Sequence, residues 1–378
     1  MSLVEVDFSV LPEVRDTKRS RVSREIRQRI VLGDLVPGSR IPSRRDLVTK
    51  FAISPVTAQQ ALEDLQSQGF IELRHGSGGY VRENSPHLCR YALAFPCPQG
   101  DPEFWSRFST ALLYEAGKLE SRHPTIRVPV YYNVDRVFHS ADRHETSSER
   151  RALEEEVRNH RLAGVILART PFTLADSPIT NDPIVPRVCI ASEGNPNLPA
   201  VFVDYQSFSS QALDELKRRK RSRIAIISDF RASSFTTDLV TKGLADRGMT
   251  THPWWIHKVA SENIDSARSL IHLLMRGAPE DRPDGIVVTD DNLVEGVSAG
   301  LVAAGIRVPT DVDVIAHANF PLPTPTVLPV VSLGFSVTEI LETCLRLLDA
   351  QRRGEKVPDL TLVPAVFANA AAIAGVSS

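Results

Sequence analysis

Residues 32–81 read LGDLVPGSRIPSRRDLVTKFAISPVTAQQALEDLQSQGFIELRHGSGGYV, and their punctuation decides the N-terminal fold. Just upstream, Val22, Ile26 and Ile30 repeat every four residues along one helix face, and Gly33 stops that helix. Pro37-Gly38 makes a turn. Pro42-Ser43 opens a second helix, with Ser43 as N-cap and Asp46 at the capping-box position. Ser54-Pro55 repeats the device: the Ser54 hydroxyl accepts from the first amides, and Pro55 suits a position whose N–H has no intrahelical partner. Ala58, Ala61, Leu62 and Leu65 give the third helix a buried face, and Gly69 ends it. Phe70–Leu73 and Tyr80–Val81 are short β-prone runs. Between them, Arg74–Gly79 holds three glycines that permit positive φ and close backbone approach. Helix, turn, helix, helix and a glycine-rich hairpin predict a winged helix-turn-helix, whose third helix enters a DNA major groove by its N-terminal end.

With those residues in place, the segment resembles the DNA-binding domain of the GntR (gluconate repressor) family. In that family the second helix, the start of the third and the wing tip contact DNA. The resemblance implies contacts at Arg45, Ser54, Pro55, Val56, Thr57, Gln59, His75 and Gly76. Arg44 stands where the family commonly has Glu and adds a cation within reach of a phosphate. Pro55 and Gln59 occupy positions where many members carry Arg. Bidentate Arg–guanine contacts are therefore lost there, and Gln59 suits adenine instead. The plainer roles are a half-buried Thr57 and a solvated Gln60.

The charge pattern separates this front end from the rest. Of 378 residues, 42% are apolar and 24% charged, and the net charge is −2, which excludes a uniformly basic coat. Residues 15–82 nevertheless hold 13 Lys and Arg against 7 Asp and Glu, leaving an excess of acid on the remainder. A positive head on a negative body can approach phosphates while the body stays away. The length suggests two or three compact units. We expect a winged helix-turn-helix at 14–83, a linker at 84–90 in which Ser85-Pro86 disfavours helix, and a body at 91–376. The four cysteines, Cys89, Cys97, Cys189 and Cys344, lack metal-site or disulfide-scaffold spacing. The acidic N-terminus does not read as a signal peptide, and no apolar run is long enough to span a bilayer. A cytoplasmic location is expected.

The body alternates short β-rich runs with helical segments. Strands are expected at Tyr91–Phe95, Arg127–Asn133, Gly164–Ala168, Arg187–Ala191, Ile224–Ser228, Gly285–Thr289, Val312–His317 and Val330–Leu333. Helices are expected within 103–121, 148–160, 205–219, 264–275 and 293–304. Such alternation predicts α/β architecture with doubly wound parallel sheets, whose ligands bind at the carboxyl ends of the strands. Residues 282–321, RPDGIVVTDDNLVEGVSAGLVAAGIRVPTDVDVIAHANFP, resemble the effector domain of the LacI (lactose repressor) family. Residues 200–228 and 91–105 do so more faintly. The resemblance implies two lobes of periplasmic-binding-protein type with an effector between them, touched by Asp101, Phe104, Asp290 and Asp291. Two family grips are missing: Val240 replaces an Arg, and Ala318 replaces an Asp after a strand. A plain helix start would also account for Asp290-Asp291.

Lys217–Arg221 ends a helix and reads as a solvated surface. Trp254-Trp255 reads as one core ring and one surface ring. No GxSxG, Walker, GxGxxG or HExxH pattern follows a strand, so no catalytic residue, cofactor or metal is expected. A fused aminotransferase-like body would need a larger domain and a Schiff-base lysine. These readings converge on a transcription regulator, a repressor. A homodimer would present two heads to a palindromic double-stranded operator under control of a small polar, sugar-like effector. The alternative is a regulator whose body only dimerises and has lost its effector.

Overall fold

The computed structural model describes residues 17–101, 104–135, 147–171, 173–191, 198–230, 234–260 and 263–369. Residues 1–16 and 370–376, which include both ends of the expected domains, lie outside the described residues. The head begins with α1 (Lys18–Val31), α2 (Arg44–Phe51) and α3 (Pro55–Ser67). At α2 both halves of the capping box form: the Asp46 amide donates to Ser43 Oγ (3.3 Å) and the Ser43 amide to Asp46 Oδ2 (2.9 Å). At α3 the Thr57 amide donates to Ser54 Oγ at 3.1 Å. Val22, Ile26, Leu47, Ala58, Leu65, Phe70 and Ile71 form one buried cluster.

The wing is β1 (Ile71–Arg74) paired antiparallel with β2 (Gly78–Val81), Arg74 opposite Gly78. Only His75–Ser77 remain for the turn, so Gly78 and Gly79 are strand residues rather than loop. Gly79 is required by closeness: a Cβ there would lie 2.6 Å from Ile41 Cδ1.

The expected linker is not a free tether. Pro86–Cys89 forms one helical turn, α4, with Pro86 at the first position, where its missing N–H costs nothing. Ser85 Oγ donates to the carbonyls of Phe70 (3.3 Å) and Arg82 (2.8 Å), and the His87 ring stacks on Phe70. Arg27 of α1 donates to Asn159 of the body, at 3.0 Å to its carbonyl and 2.5 Å to its side chain. The head is seated on the body.

The first lobe contains β3 (Tyr91–Ala94), α5 (Arg107–Arg122), β4 (Val130–Tyr131), α6 (Ser148–Arg158), β5 (Gly164–Leu167), α7 (Pro178–Asn181), β6 (Arg187–Ile190) and β7 (Ala200–Val203). The second contains α8 (Tyr205–Arg218), β8 (Ile224–Asp229), α9 (Ser234–Ala245), β9 (Ile256–Val259), α10 (Ile264–Leu274), β10 (Gly285–Val288), α11 (Val294–Ala303), β11 (Asp313–Phe320) and β12 (Val331–Ser336). The chain then returns through α12 (Val337–Arg352) and β13 (Leu360–Val363) to the first lobe, and ends with β14 (Val366–Phe367) in the second.

Strand orders are β13-β7-β6-β5-β3-β4 and β14-β12-β11-β10-β8-β9. Every pairing in the lobes is parallel except that of β14. The expected parallel α/β class is the observed one. Three strands differ clearly in extent: Arg127–Asn133 shrinks to β4, Val312–His317 lengthens to Phe320, and Val330–Leu333 lengthens to Ser336.

The lobes join where β7 meets α8, where β12 meets α12 and where β13 meets β14. The first and last joints are tied together. The Asp204 amide donates to the Val363 carbonyl (2.8 Å), and Gln211 Nε2 to the Ala365 carbonyl (2.7 Å). The basic run at 217–221 differs from the expected solvated surface: Arg219 and Arg221 hold the buried Asp313 at 2.9 and 2.6 Å, joining the end of α8 to the start of β11. Trp255 is buried and Trp254 exposed, as their composition suggested.

Candidate functional site: a reading face and an interlobe cleft

On the head, α2, the start of α3 and the wing tip present Arg44, Arg45, Ser54, Pro55, Val56, His75 and Gly76 as exposed residues. Val56 is the most telling, because an aliphatic side chain left 66% exposed at a helix start suits a thymine methyl. Neither Arg44 nor Arg45 pairs with a carboxylate among the described residues. Thr57 is half-buried, and its hydroxyl lies 2.8 Å from that of Ser54. Gln59 donates through Nε2 to Glu63 at 2.9 Å, so it must give up that bond to read a base.

In the body, a cleft of about 480 Å³ opens between the lobes, at the carboxyl ends of strands from both sheets. That volume is of small-ligand size. The first lobe supplies Arg169 and Thr170 beyond β5, Ala191 beyond β6, Phe202 at β7, and Ser106 and Phe108 at the start of α5. The second supplies Tyr205, the turn Thr289–Asn292, His317, Asn319 and Phe335. Arg107 spans the lobes: its amide donates to Asn292 Oδ1 (3.2 Å) and its guanidinium pairs with Glu295 at 3.6 Å.

Asp290 and Asp291 take different parts in this cleft. Asp290 caps the short 3-10 turn Asp291–Leu293, its Oδ1 accepting from the Asn292 amide at 2.9 Å. Asp291 is only 2% exposed and accepts from Asn319 Nδ2 at 2.7 Å. Burial, and then the charge of Asp290, push its carboxyl up from 3.8 to about 7. Burial likewise raises the Tyr205 phenol above its usual range. His317 packs in a cluster with Phe208 and Phe335, with ring centroids 5.6 and 5.5 Å away and the two phenyl rings 6.2 Å from each other.

Asp101 and Phe104 do not line the cleft. The Phe104 amide donates to Asp101 Oδ1 at 2.9 Å, so the pair closes the turn leading to α5. Ser106 and Phe108, a few residues on, take the lining places. Val240 is wholly buried among apolar neighbours of α8 and the second sheet. Ala318 is inside β11, and alternation aims its neighbours His317 and Asn319 into the cleft. Sequence reasoning missed both: it kept His317 inside the expected strand and ended that strand two residues before Asn319.

Comparisons with known proteins follow this division. Residues 18–81 match the model for bacterial regulatory proteins of the gntR family, and residues 213–366 match a periplasmic binding protein-like domain. The chain therefore carries a gntR-family winged helix on a periplasmic-binding-protein-like body.

The head is 41% identical over 63 residues to the mannosyl-D-glycerate transport/metabolism system repressor MngR of Escherichia coli, covering 17% of this chain and 26% of that one. A Mycobacterium tuberculosis HTH-type regulator is matched over 30% of its length, so the chain spans under a third of these two relatives. The arabinose metabolism transcriptional repressor of Geobacillus stearothermophilus is similar over nearly everything: 22% identity, 92% of this chain and 95% of that one. Among solved structures, a LacI family regulator from Arthrobacter sp. FB24 in complex with lactose covers 74% of this chain and 97% of its own, with TM-score 0.56 and 21% identity. The Escherichia coli repressor AscG gives TM-score 0.56 at 17% identity over 74% of this chain and 97% of its own. At that identity the likeness establishes the fold of the body.

Proposed function

We propose that this protein is a cytoplasmic transcription repressor whose affinity for a palindromic operator is set by a small polar effector bound between the lobes. The observation that carries the reading is the joining of an exposed gntR-type reading face to a body whose small-ligand cleft sits at its hinge. Arg44, Arg45, Ser54, Pro55, Val56, Thr57, Gln59, His75 and Gly76 form the DNA contact set, and Asp290 and Asp291 belong to the effector site. Asp101 and Phe104 act through the turn that positions α5. A homodimer presents two heads to two half-sites. The long relative regulates arabinose metabolism and the Arthrobacter neighbour holds lactose, which favours a sugar here. A ligand gripping residues of both lobes stabilises one interlobe geometry and so shifts the spacing of the heads.

A thermal-shift titration of the full chain with L-arabinose, lactose, D-glucose and sucrose tests the effector. A saturable rise in Tm with one of them supports the reading, because a ligand that binds only the folded state stabilises it. No rise with any of the four, together with intact operator binding, supports a body that only dimerises.

A further inference from the structure

His317 has no hydrogen-bond partner on either ring nitrogen, although it is only 7% exposed and lines the cleft. Phe208 and Phe335 pack against the ring from one side as a tilted cluster, so neither supplies a partner for its nitrogens. Buried polar atoms without partners are uncommon in folded proteins, and one on a cleft wall marks a bond to be made there. Asn319, two residues on, donates to Asp291 at 2.7 Å, and neither of them bonds His317.

We infer that His317 is a specificity-determining residue of the cleft, reading a hydroxyl-bearing, uncharged ligand through its two unpartnered ring nitrogens. The inference rests on the effector reading of the cleft given above. Burial lowers the His317 pKa to about 4, so the ring is uncharged at physiological pH. A neutral imidazole has one donor and one acceptor nitrogen. Hydroxyl groups both donate and accept, and neighbouring hydroxyls on one ligand complete both nitrogens. A carboxylate or phosphate only accepts and would leave the acceptor nitrogen bare. Asp290 lines the cleft as an acid that opposes an anion; Arg169 lines it as a cation, and Arg107 is paired with Glu295. Phe108, Phe202 and Tyr205 supply apolar surface for the carbon face of a ring.

Calorimetric titration of the full chain tests this with L-arabinose, D-glucose, lactose, sucrose and glucose 6-phosphate. The variants are His317→Phe, which keeps the ring packing and removes both nitrogens, and His317→Gln, which keeps a donor and an acceptor. The expected result is a neutral sugar bound by the wild type, a loss of about tenfold or more in His317→Phe, and partial recovery in His317→Gln. The ligand-free Tm of His317→Phe should hold or rise, because an unpaired polar ring is exchanged for an apolar one. Unchanged sugar affinity in a folded His317→Phe overturns the role of His317 and leaves the cleft reading standing. Tighter binding of glucose 6-phosphate than of any neutral sugar overturns the ligand class. Absence of binding by every compound overturns the effector reading, and this inference with it.

Discussion

At the scale of one residue, Asp291 places a buried, proton-retaining carboxyl on the cleft wall. Its carboxyl titrates near 7 in the folded chain against an ordinary 3.8, with Asp290, Arg107, Tyr205 and Asn319 about it. Between those values the folded state keeps a proton that the unfolded chain has lost, so this group lowers stability as pH rises from about 4 to about 7. Asn cannot ionise and can still accept from Asn319. Asp291→Asn should therefore gain Tm relative to wild type as pH goes from 5 to 7.5, measured by thermal melts in matched buffers; parallel curves would remove the shift. On the head, Arg45→Ala should weaken binding to all duplexes alike. Gln59→Ala should relax preference at one base position by about 1–3 kcal/mol, read by site selection. Asp290 and Asp291 were legible because a parallel sheet opens its crevice just past its strand ends. His317 and Asn319 were not, because every residue of β11 is buried and the inward–outward alternation leaves no hydropathy trace.

Elements follow the same division between what local chemistry dictates and what packing adds. Caps and helix-ending glycines in the head are local devices, so its helices appear close to where the sequence puts them. Interior strands β5 and β10 are continuous apolar runs, and β8 is one over Ile224–Ile227, again visible in sequence. Edge strands β4, β9, β13 and β14 carry mixed patterns and exist because a neighbour supplies the ladder. The wing is shorter in its turn than the glycine count implied, since Gly79 serves the approach of Ile41. Asp313, held by two arginines, illustrates an element joint that charge patterning alone misassigns. Asp313→Ala strands Arg219 and Arg221 beside a buried site and should cost roughly 2–4 kcal/mol, less than a fully buried pair because both arginines are partly solvated. Urea unfolding measures it; a loss near zero would mean that the arginines find water instead.

For the whole molecule, the proposed effector control of DNA binding requires that the head, the joint and the lobes move together. The head rests on the first lobe through Arg27 and Asn159, while the cleft lies at the opposite ends of that lobe's strands. Motion of one lobe against the other therefore moves the head as part of a body rather than as a loose tether. The positive head predicts salt-sensitive binding, with each phosphate contact adding about 0.9 to the slope of log K against log salt. A flat salt response would contradict phosphate contact by residues 18–81. The most direct measurement is fluorescence anisotropy of the full chain on the duplex it selects from random DNA, with and without the sugar that raises its Tm. A palindromic duplex is expected, with a shift of at least several-fold in affinity when the sugar is present and an Asp291→Asn variant that binds the duplex normally but ignores the sugar. An operator affinity that no bound sugar alters, or a sugar response unchanged in Asp291→Asn, would overturn effector control through Asp291.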